Sequence, residues 1–166
     1  RQPSQGDTPT TRDNQRIPKV SQRFIVTKEH RCFTEFADAV RRGHTIGLCF
    51  GPAGVGKTLS ARRYARWDKV HDLLTYWGPR SDSDAQVYAA LAKSRTVLYT
   101  PSMLTTPRAL KDELDQVITR TNICIEQHLE AIGQITPQSW GWRHGRNHVQ
   151  LVIVDESERL RPTALE

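Results

Sequence analysis

A three-layer α/β/α fold built on a parallel sheet is the architecture this sequence predicts. Three observations predict it. Short apolar runs at 45–50, 96–100 and 148–154 alternate with stretches of helical periodicity. The first run enters a glycine-rich turn, Gly51 to Thr58, after which good helix formers resume. The last run, Leu151 to Val154, leads straight into two acids, Asp155 and Glu156.

Each element has a local reason. Behind Thr27, a plausible N-cap, Phe33, Phe36, Ala37 and Val40 recur at helical spacing and put one apolar stripe on a helix that stops near Gly43. Thr45 to Phe50 reads as a strand, and Leu59 to Trp67 as the helix after the turn. Between 68 and 94 the signals are mixed: Trp77 to Asp84 reads as loop and Ala85 to Lys93 as one short helix. Thr96 to Thr100 collects β-branched and aromatic residues, and Pro101 ends them. Pro107, behind Thr106, opens a long helix on which Leu110, Leu114, Val117, Ile118, Thr121, Ile125 and Leu129 share a face until Gly133, with charges on the other. The final run, from His148 to Val154, has an unbroken apolar part suited to a strand buried on both faces.

Composition narrows the function classes. The 166 residues fit one domain, with 37% hydrophobic and 25% charged residues and no apolar run long enough to span a bilayer. No membrane partner is expected. Cys32, Cys49 and Cys124 lie far apart without CxxC spacing, against a zinc site or a disulfide framework and in favour of a reduced, cytoplasmic setting. The chain opens on Arg1 with no charged-then-apolar leader, so it is expected to have been trimmed or numbered from an internal point. Residues 1–20 are polar, bear prolines and carry almost nothing apolar, which reads as a flexible basic arm. Lys and Arg outnumber Asp and Glu by 24 to 18, a net charge of +6 that favours polyanionic partners.

The sharpest motif is Gly51-Pro52-Ala53-Gly54-Val55-Gly56-Lys57-Thr58, which fits GxxxxGK[ST] at every fixed position, between a predicted strand and a predicted helix. Gly54 and Gly56 let the backbone turn successive N–H groups inward as a cradle for phosphate oxygens, and the helix N-terminus adds partial positive charge. Lys57 can reach the β- and γ-phosphates of ATP, the Thr58 hydroxyl can ligate Mg²⁺, and Leu59 closes the binding segment.

Asp155 and Glu156 are expected at the carboxyl end of a buried strand, where ligands of α/β sheets bind. Asp155 is the candidate Mg²⁺ ligand and Glu156 the group that polarises the attacking water, with Lys57 assisting catalysis. A GTPase would show DxxG and NKxD, and neither occurs here; small-molecule kinases have no reason to place Glu directly after the metal-binding Asp. The adjacent pair points to an ATPase that activates water. Without the upstream loop, a strand ending in two solvated acids would be the plainer account.

Together, FGPAGVGKT, the strand ending Tyr99-Thr100-Pro101, and VDESERL at Val154 to Leu160 resemble the AAA+ ATPases that regulate DNA transposition, the TniB, TnsC and MuB group. The resemblance covers about Arg16 to Pro162, and Gln15-Arg16-Ile17-Pro18 is a weaker mark of the same group. It implies an AAA+ P-loop fold, with 21–166 as the N-terminal part of the ATPase domain. It also implies an ATP-bound homo-oligomer, ring or helical filament, on double-stranded DNA, which recruits a transposase and disassembles on hydrolysis. In such proteins the segment before the first strand lies near adenine, making residues around Arg16 to Val20 candidates. The family's fold continues with a sensor strand, an arginine finger and a helical lid, so this chain is expected to be incomplete. A gap in the sheet between the P-loop strand and the acidic strand would follow. The alternatives are another DNA-linked AAA+ ATPase such as a helicase loader, or a nucleotide-gated binding module with little turnover.

Weaker signals stand beside these. Trp140, Trp142, Arg143, His144, Arg146 and His148 mix aromatic and basic residues in a way that suits DNA, although an ordinary solvated loop has the same composition. Arg62, Arg63 and Arg66, with Lys69 beyond, read as a basic run on the helix after the P-loop, a pattern that solvated helix faces also show. His30, His71 and His128 have no partner at metal-ligand spacing.

Overall fold

A computed structural model of the chain describes residues 24–102, 106–136 and 147–160. The expected arm at 1–20 and the residues Trp140 to Arg146 lie outside these.

Helix α1 spans Lys28–Gly43, α2 Lys57–Tyr64, α3 Trp67–Thr75 and α4 Ala85–Ser94. Strand β1 (Thr96–Tyr99), helix α5 (Pro107–Ala131) and strand β2 (Leu151–Val154) follow. The two strands pair in parallel, Thr96 opposite Leu151 through Tyr99 opposite Val154, with α5 in the connection between them. This is the α/β arrangement that the alternation of strand and helix predicts.

The helix ends follow from their sequences. The Thr27 side chain accepts from His30 N at 3.2 Å and caps α1. Thr106 accepts from Ala109 N at 3.2 Å, with Pro107 in the first turn, and fixes the start of α5 where the sequence placed it.

The largest apolar cluster joins α3, α4 and α5 through Val70, Leu74, Leu91, Cys124, Ile125 and Leu129. A second cluster sets Ala61 of α2 and Ala65 just past its end on Leu98 of β1, with Ile153 of β2 packed against them. These small residues let α2 lie close on the strands. A third joins Tyr99, Leu110 and Leu160, bringing the turn after β2 onto the end of β1 and the start of α5.

Four expectations need correction. Residues 45–50 form no strand among the described residues: Ile46, Leu48 and Phe50 are 96%, 80% and 91% exposed, because no neighbouring strand supplies a hydrogen-bonded ladder. β2 is not buried on both faces, since Val152 remains 38% exposed on a two-stranded sheet. The helix after the turn ends at Tyr64 instead of Trp67. Arg66 takes a left-handed backbone (φ 55°), and a separate helix, α3, begins at Trp67 within the stretch whose signals were mixed. Finally, charges do not keep to the outer face of α5, because Glu126 is only 1% exposed.

Candidate functional site

The turn from Gly51 to Gly56 leads directly into α2. Gly54 and Gly56 have φ of 82° and 88°, values that a side chain would strain, and a Cβ built at either position would meet nothing within 4 Å. The glycines therefore serve backbone geometry, and the space they face is open. Gly56 is the N-cap of α2, with no side chain on the first amides. Lys57 Nζ donates to the carbonyls of Gly51 and Pro52, both at 2.8 Å, so the ammonium folds back over the mouth of the loop. Thr58 and Leu59 are exposed at the head of the helix.

A cavity of about 480 Å³ adjoins the loop. Phe33 and Phe36 of α1 line it together with Leu48, Phe50, Lys57 and Ser60.

The position of α2 relative to the sheet follows from three contacts. Near the end of α1, Arg41 donates to the Ser94 carbonyl (3.2 Å) and to Gln150 Oε1 (2.8 Å through Nε), residues just before β1 and β2. The carboxyl end of α1 therefore sits at the entry of both strands. Tyr64, the last residue of α2, donates from its hydroxyl to Asp38 Oδ1 at 2.6 Å, one turn before Arg41. At their other ends the two helices share the cavity, through Lys28, Glu29 and Cys32 of α1 and Lys57 and Ser60 of α2. The helices run side by side in the same direction, and the N-terminus of α2 points toward the exit of the strands. An eight-residue helix is about 12 Å long and a four-residue strand about 13 Å, so α2 has the same span as the strands from their entry to their carboxyl edge.

Asp155 and Glu156 leave β2 at that edge. The Asp155 amide donates to the Tyr99 carbonyl at 2.9 Å, which extends the ladder one residue past β2 and fixes where the acids begin. Among the described residues no partner holds the Asp155 carboxylate. Glu156 has a left-handed backbone (φ 54°), and its Oε2 is paired with Arg159. Tyr99, whose carbonyl carries Asp155, donates from its hydroxyl to Glu113 Oε2 of α5 at 2.6 Å.

A divalent cation fits this donor set in one way. Among the described residues no group of three or more His, Cys, Asp or Glu could cage a metal. The Thr58 hydroxyl and the Asp155 carboxylate are oxygen donors of the kind Mg²⁺ takes, with phosphate oxygens and water usually completing its shell.

The basic run expected on α2 does not form one face. Arg62 pairs with Asp68 at 2.5 Å, Arg63 lies over the Phe24 ring at 5.3 Å, Arg66 is in the turn, and Lys69 belongs to α3. His30 meets Phe24 edge-on, and burial, then the nearby Arg63, lowers its pKa. His71 contacts Asp72, and His128 lies in the last turn of α5. His148 donates its amide to Asn122 Oδ1 at 2.8 Å. Two residues that support the site carry no motif, Asp38 and Tyr64, and Arg159 stands in VDESERL without a role assigned from the sequence. Only the spacing of Glu156 and Arg159, three apart in a tight turn, could have drawn attention to one of them.

Phosphate loop, following helix and acid-ended strand define a P-loop domain. Residues 40–166 match the family model described as "AAA domain", and the chain belongs to that family. Over 152 residues it is 30% identical to a Staphylococcus aureus protein called "Potential ATP-binding protein", a match that takes in 88% of this chain and 53% of that protein. The chain thus spans about half the length of the curated relative it matches. No solved structure matches it. Among the described residues no helix is long and apolar enough to cross a membrane.

Proposed function

We propose that this chain is the ATP-binding and ATP-hydrolysing part of an AAA+ regulator of DNA transposition. The observation that best supports the ATPase reading is the glycine turn, with positive φ at Gly54 and Gly56, at the head of a helix that packs on the strand pair whose end carries Asp155 and Glu156.

Residues Gly51 to Leu59 bind the nucleotide. The loop amides and the head of α2 offer donors to phosphate oxygens, and Lys57 exchanges its two carbonyl partners for the β- and γ-phosphates. Thr58 and Asp155 hold Mg²⁺. When bound, the cation supplies charge that offsets the negative charge on the phosphates. Glu156 accepts a hydrogen bond from the attacking water and orients it toward the γ-phosphate. The relative's printed name, a potential ATP binder, agrees with this chemistry.

The role in transposition rests on the resemblance of FGPAGVGKT, YTP and VDESERL to that regulatory group, together with the net charge of +6. On this reading the protein works in the cytoplasm, forms ATP-dependent homo-oligomers on double-stranded DNA and recruits a transposase. ATP hydrolysis measured with and without duplex DNA tests both levels. DNA-stimulated turnover that depends on Lys57 is expected. Tight Mg·ATP binding with no turnover under either condition would favour a nucleotide-gated module, and no affinity for Mg·ATP would reject the reading.

A further inference from the structure

The turn after β2 holds a charged contact that the proposed chemistry leaves unexplained. Glu156, at φ 54°, lies where a residue with a Cβ is strained, and such strain persists only when the surroundings impose it. Its Oε2, buried and without a hydrogen bond of good geometry, forms an ion pair with Nη2 of Arg159. The same guanidinium donates through Nη1 to the Pro101 carbonyl at 3.4 Å, just beyond the exit of β1. Arg159 rides on a short 3-10 turn, Ser157–Arg159, closed by Arg159 N to Glu156 O and Leu160 N to Ser157 O, both 3.0 Å. Leu160 then packs on Tyr99 and Leu110. The guanidinium is mounted on an anchored turn and bridges the ends of both strands.

Stability is a poor reason for this arrangement. The two side chains are 37% and 36% exposed, and ion pairs of that kind contribute little to stability. What the contact fixes is direction. With Oε2 held, Oε1 is the carboxylate oxygen left to meet a water. A group that polarises a nucleophile must lie within hydrogen-bond reach of it, and a misplacement of about 1 Å can cost on the order of 100-fold in rate.

We propose that Arg159 is a positioning residue that sets the orientation of the Glu156 carboxylate for ATP hydrolysis. The proposal rests on the reading of Glu156 as the group that polarises the attacking water.

Steady-state Mg·ATP hydrolysis by the purified protein tests it, using Arg159→Ala, Arg159→Lys, Glu156→Gln and the Arg159→Ala/Glu156→Gln double variant. Arg159→Ala is expected to lower kcat by roughly tenfold or more while KM for ATP stays within about twofold. Arg159→Lys restores part of the loss, because an ammonium can pair with the carboxylate but lacks the fork that also reaches Pro101. The double variant turns over no more slowly than Glu156→Gln alone. Arg159→Ala turning over at the wild-type rate or faster, or adding its full loss to that of Glu156→Gln, overturns the proposal. Wild-type turnover by Glu156→Gln defeats the underlying reading and the proposal with it. A Glu156→Gln protein that is inactive beside an unaffected Arg159→Ala defeats the positioning role alone.

Discussion

The hydroxyl of Tyr64 lies 2.6 Å from Oδ1 of Asp38, locking the end of the helix that carries the phosphate loop to the helix before it. Partial burial, then this hydrogen bond, raises the Tyr64 pKa. Tyr64→Phe removes the bond and leaves Asp38 without that donor. A loss of about 1–3 kcal/mol in unfolding free energy is expected, read by denaturant titration, with ATP affinity changing little because the loop lies at the other end of α2.

Lys57→Ala should abolish measurable Mg·ATP binding in a fluorescent-nucleotide titration, because it removes the ammonium held over the loop by the Gly51 and Pro52 carbonyls. Glu156→Gln should retain binding and lose nearly all hydrolysis. A Glu156→Gln protein that cannot bind ATP would show that the acid maintains the loop instead of serving the water.

Gly56→Ala should act on the loop alone. At φ 88° a Cβ costs on the order of 1–2 kcal/mol, while the open space around the position means no clash with a neighbour. The expected result is weaker nucleotide binding with a modest drop in melting temperature. Unchanged affinity would mean that the cradle tolerates another backbone shape.

Cys124 offers a prediction in pH. Burial, with a smaller contribution from Asp84 opposed by Arg80, pushes its thiol from an ordinary 9.0 up to about 12. Below about 9 the thiol is protonated in the folded and unfolded chain alike, so it has no effect on the pH dependence. Between about 9 and about 12 only the unfolded chain ionises, and stability falls as pH rises, on the order of 1 kcal/mol per pH unit. Denaturant titrations at pH 8 and pH 10 should show this drop, and Cys124→Ala should flatten it. Iodoacetamide should label exposed Cys32 and Cys49 and spare Cys124 in the folded protein.

How much of this was legible in the sequence depended on where the information is stored. The cap of Thr106 and Pro107 and the spacing from Leu110 to Leu129 are local, and α5 runs as they dictate. The break between α2 and α3 is not local: Arg66 takes a left-handed turn with no glycine or proline to announce it. A strand cannot be read from its own residues alone, since 45–50 has a strand's composition and lacks a partner. In the site, the motif residues were legible because phosphate chemistry dictates their spacing. Their shared edge of the sheet was an expectation from strand order, and its physical support runs through Arg41, Asp38 and Tyr64, which no motif marks. Glu126 escaped because buried acids run against the usual partition of charge.

The uncovered row of Ile46, Leu48 and Phe50 bears on how the protein behaves in a tube. An uncharged apolar stretch whose backbone from 46 to 50 has no ladder partner among the described residues adheres to other strand edges, including its own in a neighbouring molecule. Self-association should therefore rise steeply with concentration. A lysine at position 48 should reduce it without touching the residues that meet the nucleotide.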